Sequence, residues 1–216
     1  MTEGQTSAPP AGLRERKKQR TRDALIHAAL ALFTSRGYEE TTVDEIVDAV
    51  EVSQRTFFRY FANKEEVAFA VQDMVESRFL AELRQRPATE APFEAMRQAV
   101  LNAWSSIGEA IEELVTVELH MRTYQMIEST PLLLAAHLRR GMALEHQIAS
   151  VIAEREGLDV DTDPRPRVAV AAFSGVMRVT GHLWGQGQET SVESLRELTE
   201  IYLDHLGPAL AEDWRS

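Results

Sequence analysis

The apolar residues of this chain recur at three- and four-residue spacing along nearly its whole length. That spacing places apolar side chains on one face of an α-helix, and no segment shows the residue-by-residue alternation of a half-buried strand. Gly37 and Gly157 follow two of these segments, at points where a helix is expected to stop. We therefore predict an all-α fold of about nine helices.

Helix start signals divide the chain further. Thr42 with Glu45 has the pattern of a capping box, in which side chains satisfy the free amides of a helix N-terminus. Thr130-Pro131 combines a cap residue with a first-turn proline, and Pro208 is expected to end or kink the last helix. These signals predict helices at about 14–35, 43–50, 53–61, 63–86, 92–107, 109–128, 131–156, 164–185 and 190–207.

Charge and composition indicate three parts. Residues 1–12 are polar and are expected to form a disordered tail, followed by a small domain at 13–63 and a larger one at 64–216. Residues 13–64 carry ten Lys and Arg against eight Asp and Glu, whereas residues 65–216 carry thirteen against twenty-five. The acidity of the larger part either keeps it soluble or orients the more basic part toward a polyanion, and both interpretations stay open.

Several classes of protein are disfavoured by what the sequence lacks. The chain has no cysteine, which removes disulfides, cysteine-ligated metals and thiol redox chemistry. It has no apolar run of about 20 residues that would span a membrane, and its N-terminus lacks the apolar stretch of a secretory signal. We expect a cytoplasmic protein without a cofactor or a metal.

The two short helices at 43–50 and 53–61, joined by a turn, predict a helix-turn-helix. Phe57 and Phe61 are four residues apart, so both can face the core. Gln54 and Arg55 then point away from the core. Their side chains can form paired hydrogen bonds with base edges in a DNA major groove.

The segments at 36–46 and 52–65 resemble the DNA-binding domain of the TetR family, and the resemblance covers about residues 20–70. It depends on the Thr42-Val43 opening, the Val52-Ser53 start of the second helix and the Lys64-Glu65 opening of the next. The resemblance implies a homodimeric, ligand-responsive repressor, with an N-terminal three-helix DNA-binding domain and a C-terminal helical domain for ligand binding and dimerisation. It implies double-stranded operator DNA and a small-molecule effector as partners.

By this resemblance, Gln54 and Arg55 contact bases, and other residues hold phosphates. A basic stretch at 14–22 is either a solvated helix start or a further contact with DNA at the edge of the site. The complete set of expected DNA-binding residues is Arg20, Arg22, Thr42, Ser53, Gln54, Arg55, Thr56, Phe58, Tyr60 and Lys64.

Three positions depart from the family pattern. Glu51 stands in the turn where the family usually has glycine, and a left-handed backbone there costs about 1 kcal/mol. Val47 replaces a small alanine, which changes how closely the two helices can cross. Phe58 replaces a common tyrosine and has no hydroxyl to offer a phosphate.

The larger domain carries the expected effector site. Aromatic and methionine side chains are concentrated in its middle helices, where they form either an ordinary core or an adaptable pocket. By resemblance, the expected pocket residues are Trp104, His120, Tyr124, His137 and Met177, with Glu118, Arg122 and Arg178 orienting a polar ligand.

The last two long helices carry the expected dimer interface. Small residues in one allow close approach of another helix, and apolar residues in the other lie on one face. By resemblance, these helices pair with their copies as a four-helix bundle, although an intramolecular core is the alternative. The expected interface residues are Ala172, Gly175, Trp184, Leu198 and Tyr202.

Two other functions were weighed against this one. The chain has no Gly-x-Ser-x-Gly, phosphate-binding glycine loop or His-Glu-x-x-His motif, so an enzyme is not expected. A helical carrier or partner-binding module without DNA binding stays open because of Glu51 and Val47. Arg55, Tyr60 and Lys64 argue against that alternative.

Overall fold

The computed structural model describes residues 11–187 and 191–211, and every regular element within them is an α-helix. The all-α prediction is confirmed. The helices are α1 (Ala11–Arg36), α2 (Val43–Ala49), α3 (Gln54–Phe58), α4 (Lys64–Ala68), α5 (Ala70–Gln85), α6 (Pro92–Leu114), α7 (Val117–Ser129), α8 (Pro131–Glu156), α9 (Arg165–Gln186) and α10 (Val192–Ala211).

The chain divides into two compact units, with the boundary between Ala68 and Phe69. The sequence places this boundary five residues earlier, after Asn63. Residues 11 and 12 belong to the first turn of α1. The rest of the expected tail, residues 1–10, lies outside the described residues.

The first unit consists of α1 to α4, in which α1 packs against α2 and α4, and α2 packs against α3. Its core contains side chains that are at most 1% exposed, among them Leu25, Phe33, Ile46 and Phe57. α1 ends before Gly37, as predicted, and the glycine takes a φ of +103°. This core fixes α3, which carries the residues expected to contact bases.

The second unit consists of α5 to α10. α5 packs against α6, α10 packs against α6 and α9, and α8 packs against α5, α7 and α9. Its main core includes Leu83, Met96, Ile152 and Phe173, each at most 2% exposed. α8 ends at Gly157 with a φ of +64°, which confirms the predicted stop.

Apart from α3, which ends at Phe58 and not at the predicted Phe61, the structure departs from the predicted helices in three places. The helix expected at 63–86 is two helices, α4 and α5, separated at Phe69. The break expected at Gly108 lies instead at Val115 and Thr116, where the Thr116 hydroxyl accepts a hydrogen bond from the amide of Leu119 at 3.2 Å. A glycine inside a helix costs only about 1 kcal/mol, so a real cap signal decides where the chain breaks.

The third departure is in the last helix, where α10 continues past Pro208 to Ala211. The expected start at Thr190 lies outside the described residues. The hydroxyl of Ser191 accepts a hydrogen bond from the amide of Ser194 at 3.0 Å, which serves the same purpose. No helix in the described ranges is long and apolar enough to cross a membrane.

Candidate DNA-binding surface and ligand cavity

α3 presents the residues expected to read bases. Ser53 precedes the helix in an extended conformation, and its hydroxyl accepts a hydrogen bond from the amide of Thr56 at 3.3 Å. Phe57 is fully buried and Phe61 is 4% exposed, with ring centroids 5.6 Å apart. Since these rings anchor the inner face, Gln54 and Arg55 are exposed on the outer face.

The start of α2 is held by the predicted capping box. The backbone amide of Thr42 donates to the Glu45 carboxylate at 2.8 Å, and the amide of Glu45 donates to the Thr42 hydroxyl at 3.3 Å. The bond from the Thr42 amide, and after it a bond from the Thr42 hydroxyl to the same carboxylate, lower the pKa of Glu45. The Thr42 hydroxyl also donates to Glu45 at 3.0 Å, so a phosphate contact from Thr42 requires exchange of this partner.

The turn between α2 and α3 has the left-handed residue that the sequence predicts. Glu51 takes a φ of +55° and is exposed. The amide of Val52 donates to the carbonyl of Val47 at 3.0 Å and closes the turn. Val47 is 3% exposed, so its branched side chain lies inside the helix crossing.

Lys64 lies at the first position of α4, and its ammonium group is bound by the protein. It donates to the carbonyl oxygens of Tyr38, Glu39 and Thr41 at 2.7, 3.3 and 3.1 Å. It also lies 4.3 Å from the Tyr38 ring centroid. Lys64 therefore holds the loop between α1 and α2, a role that the sequence does not predict.

The other expected DNA-binding residues differ in how exposed their side chains are and in whether they contact neighbouring residues. Arg20 is exposed, whereas Arg22 is half-buried with its guanidinium 5.6 Å from the Phe61 ring centroid. Tyr60 is half-buried, and its hydroxyl accepts a hydrogen bond from Arg59 at 3.0 Å. Phe58 is 52% exposed.

Two hydroxyl groups and one side-chain amide at the start of α3 already have partners. The hydroxyls of Ser53 and Thr56 are 3.1 Å apart and share a hydrogen bond. The side-chain amide of Gln54 donates to Asp44 on α2. Arg55 thus stands out as the exposed residue of α3 whose donors have no partner in the described part of the chain.

The second unit contains a cavity of about 560 Å³. Residues from α5 to α10 line it, and most of its wall is apolar or aromatic. Six of the eight expected pocket residues line this cavity: Trp104, His120, Tyr124, His137, Met177 and Arg178. The other two, Glu118 and Arg122, do not line it, because they lie on the exposed side of α7 and pair with each other at 3.1 Å.

Three buried polar atoms that belong to cavity residues have no hydrogen-bond partner among the described residues. They are Oε1 of Gln72, Nε1 of Trp104 and Nδ1 of His120. Burial lowers the pKa of His120 to about 4, so this imidazole is neutral at physiological pH. A cavity with unsatisfied polar atoms is suited to a ligand with complementary polar groups.

Glu76 also lines the cavity, and sequence reasoning missed it. Burial raises the pKa of Glu76 to about 7, with a further rise from Asp73 and an opposing effect of Arg140. The signal was present in the sequence, since Gln72 and Glu76 share the helical face of Val75 and Phe79. Two polar residues on an apolar face indicate a site, but the same face also fits an ordinary core.

Tyr124 lies in a notch formed by two glycines of α9. A Cβ atom at Gly181 would lie 2.8 Å from Oη of Tyr124, and one at Gly185 would lie 2.9 Å from its Cδ1. Both glycines therefore allow a close approach that no other residue permits. The Tyr124 ring also contacts Trp184 and His137, with centroids 6.0 and 6.3 Å apart.

An apolar stripe lies on the outer face of α9, where Val168, Val179 and Leu183 are 66%, 47% and 38% exposed. The expected interface residues Ala172 and Gly175 fall on the same helical face. On α10, Ile201 and Tyr202 are 54% and 36% exposed, and Leu198 is half-buried.

Trp184 does not belong to this stripe. It lies on the opposite face of α9, is 4% exposed, lines the cavity and donates its indole N–H to the carbonyl of Ser191 at 3.0 Å. Trp184 was expected to border a dimer interface, but it is buried at the cavity and is not exposed on the apolar stripe.

No cluster of three or more potential metal ligands occurs in the parts of the chain that the structure describes.

The chain matches two family profiles. The profile described as "Bacterial regulatory proteins, tetR family" matches residues 25–71, and the one described as "MftR C-terminal domain" matches residues 90–211. Among curated proteins, the "HTH-type transcriptional regulator TcmR" of Streptomyces glaucescens is 47% identical over 204 residues, which cover 94% of this chain and 90% of that protein.

Solved structures share the fold. A structure of a SmeT–triclosan complex has a TM-score of 0.60 at 20% identity, covering 88% of this chain and 91% of that one. NalD, described as the secondary repressor of the MexAB-OprM multidrug efflux pump in Pseudomonas aeruginosa, has a TM-score of 0.57 at 18% identity, covering 92% and 100%.

Proposed function

Because this chain belongs to the TetR family of DNA-binding transcriptional regulators, we propose that it is a homodimeric repressor that a small-molecule effector releases from a palindromic operator. The observation that carries this proposal is the exposed pair Gln54 and Arg55 on α3, held outward by the buried Phe57. Since operator DNA is the proposed target, we propose that the protein acts in the cytoplasm, at the nucleoid.

Gln54 and Arg55 are the residues that we propose to read bases. Arginine pairs with the acceptors of guanine, and glutamine with the donor and acceptor of adenine, both across the major groove. Gln54 must leave Asp44 to do so, whereas Arg55 is free to bind. We therefore assign the larger share of sequence preference to Arg55.

The surrounding residues are proposed to bind phosphates. Thr42, Ser53, Thr56 and Tyr60 supply hydroxyl groups, and Arg20 supplies an exposed guanidinium. The ammonium group of Lys64 is bound to three carbonyls. It therefore attracts phosphate from a fixed position and does not act as a mobile side chain.

The cavity of the second unit is the proposed effector site. Its apolar walls and few polar groups are typical of small-molecule sites. The effector lowers operator affinity only if it binds one conformation of the repressor more tightly than the other. The apolar stripes of α9 and α10 are the proposed dimer interface, because exposed apolar patches of this kind mark association sites.

The regulatory proposal is tested with the purified protein and duplex DNA from its own upstream region, titrated across a salt series with random duplex as the control. We expect tighter binding to the upstream fragment and a steep salt dependence, because phosphate contacts release counterions. Equal affinity for both duplexes at every salt concentration would contradict it.

Arg55→Ala separates base reading from phosphate binding. We expect the variant to lose preference at one base position, at a cost of about 1–3 kcal/mol, while its binding to random DNA changes little. Arg84→Ala, on an exposed part of α5, is the matched control and should bind as the wild type. Equal losses on operator and random DNA would remove the assigned role of Arg55.

The effector site is tested by filling the cavity. Gly141 lines it, and a Cβ atom there meets nothing within 4 Å, so Gly141→Leu should fold and occupy part of the space. We expect this variant to bind the upstream DNA normally but to resist release by compounds that release the wild type. Release at unchanged concentrations would place the effector elsewhere.

A further inference from the structure

We propose that the effector is a mainly apolar, ring-containing molecule whose hydrogen-bond donor is accepted by Gln72 and Glu76, and whose acceptor receives the indole N–H of Trp104. This inference rests on the proposed function, since it names the chemistry of the ligand for the same cavity. It follows from the polar atoms that the cavity leaves without partners.

Gln72 and Glu76 form a pair of acceptors on α5. They are one helical turn apart and therefore lie on the same face, and both line the cavity. Oε1 of Gln72 is buried without a partner. Glu76 has no hydrogen bond or ion pair in the described residues, although burial favours its neutral form. A donor on the ligand would satisfy either oxygen.

Trp104 on α6 supplies the complementary donor. The residue lines the same cavity, and its Nε1 is buried and has no acceptor among the residues that the structure describes. An indole nitrogen can only donate, so only an acceptor on the ligand or a water satisfies it. A ligand with both a donor and an acceptor therefore matches this cavity better than a hydrocarbon.

The charges around the cavity exclude an anion as the favoured ligand. Glu145 and Arg178 line it but pair with each other at 3.1 Å. His120 is neutral, and burial also lowers the pKa of His137. Among the described residues, Glu76 is then the one acidic side chain of the cavity that has no cationic group in contact with it. The donor is either a protonated amine or a neutral hydroxyl.

The walls and rim explain the apolar body of the ligand. Phe79, Trp104, Tyr124 and Trp184 line the cavity, and aromatic walls favour stacking with rings and contact with cations. Leu138 and Met142, one turn apart on α8, also line it and are 50% and 71% exposed. These two side chains form an apolar rim at the surface.

The test uses three probes of equal size: naphthylmethylamine, naphthylmethanol and ethylnaphthalene. Each displaces the apolar dye Nile red from the full-length protein, and the midpoint of displacement gives relative affinity. We expect the amine and the alcohol to bind at least about tenfold more tightly than the hydrocarbon, which corresponds to one hydrogen bond to a charged or buried acceptor.

Variants at Glu76 separate the two kinds of donor. Glu76→Gln keeps an oxygen acceptor but loses the charge, so it should remove the advantage of the amine and keep that of the alcohol. Glu76→Met keeps the volume and should reduce both advantages. Glu82→Gln, on the same helix but outside the cavity, is the matched control and should behave as the wild type.

Trp104→Phe tests the donor with acetylnaphthalene, whose carbonyl is an acceptor, and should weaken its binding about tenfold relative to ethylnaphthalene. Equal binding of all three probes to the wild type would overturn the inference. So would an unchanged preference in Glu76→Met, or no displacement by the amine and the alcohol. Dye displacement does not involve DNA. The probe preference can therefore be found even if the regulatory proposal fails, and the regulatory proposal can hold even if the probe preference is absent.

Discussion

At the scale of single residues, Glu51 carries a backbone cost that the turn between α2 and α3 imposes. Its φ of +55° is a left-handed conformation, which costs a residue with a side chain about 1–2 kcal/mol. Glu51 is exposed, and its side chain makes no hydrogen bond or ion pair with the described residues that would offset that cost. The turn is therefore maintained by the packing of the two helices that flank it.

Glu51→Gly should raise the free energy of unfolding by about 0.5–1 kcal/mol, because glycine adopts this conformation without steric cost. Urea denaturation monitored by circular dichroism measures the change. Glu51→Ala is the matched control, since alanine also lacks the carboxylate but keeps the left-handed penalty. If both variants gained the same stability, the cause would be the lost charge and not the backbone.

Glu76 makes stability depend on pH. Its folded pKa of about 7 lies above its ordinary value of 4.5, so between these pH values the folded protein binds more protons than the unfolded chain. The stability that protonated Glu76 contributes is thus fully present below the lower value and is lost as the pH rises through 7. His120, with its lowered pKa, acts in the opposite direction as the pH falls.

Glu76→Gln should therefore be more stable than the wild type above pH 7, by on the order of 2 kcal/mol, and should lose that advantage below about pH 4.5. Urea titrations over this range measure the difference, in which the effect of His120 cancels because both proteins contain it. A difference that did not change with pH would contradict the assigned pKa. Glu197→Gln, exposed on α10, is the control.

At the scale of elements, Arg155 connects the end of α8 to the segment between α5 and α6. Its guanidinium donates to the carbonyl oxygens of Arg86, Pro87 and Glu90 at 2.8, 2.9 and 3.1 Å. Arg86 also pairs with Glu90. A short segment without regular structure is thereby fixed at three backbone positions.

Arg155→Lys should lower the free energy of unfolding by about 1–3 kcal/mol, because an ammonium group cannot reproduce the planar fork of three hydrogen bonds. Amide hydrogen exchange should increase at residues 88–91 and change little elsewhere. Arg139→Lys, exposed on the same helix, provides the comparison and should leave both quantities unaltered. Unchanged exchange at 88–91 in Arg155→Lys would show that other contacts hold the segment.

Sequence patterns predicted helix ends well where a local signal decides them. The capping box at Thr42 and Glu45 and the glycine stop at Gly157 are formed within a few residues, so their partners are visible in the sequence. The break at Thr116 was missed because Gly108 is a more conspicuous signal, although a helix tolerates it. The three carbonyls around Lys64 come from residues 38, 39 and 41, more than 20 positions away, and no local pattern reveals them.

At the scale of the whole molecule, the two faces of α9 carry the two functions proposed for the second unit, effector binding and dimerisation. Phe173, Met177 and Trp184 face the cavity, whereas Val168 and Leu183 are exposed on the other side. The resemblance to the TetR family identified six of the cavity residues, whereas most of the lining was not predicted. By the same resemblance Trp184 was expected at the dimer interface, since an amphipathic pattern with apolar residues on both sides does not say which side meets a partner.

Leu183→Glu should convert the proposed dimer to a monomer, because it places a charge in an apolar interface between two copies of α9. Light scattering at micromolar concentration measures the mass, and operator binding should weaken in parallel. Leu132→Glu, on an exposed position of α8 that does not line the cavity, is the control. A wild-type protein that is monomeric under these conditions would refute the four-helix bundle.

The notch that Gly181 and Gly185 form around Tyr124 has a consequence for how effector preference changes over generations. Gly185 does not line the large cavity, yet its replacement by alanine would force the Tyr124 ring to move, and that ring does line it. A single methyl group at position 185, outside the cavity lining, would thereby change the shape of the cavity. Relatives with identical cavity linings can then differ in the compounds they bind. Conservation of the lining residues alone does not ensure that the same compound is recognised.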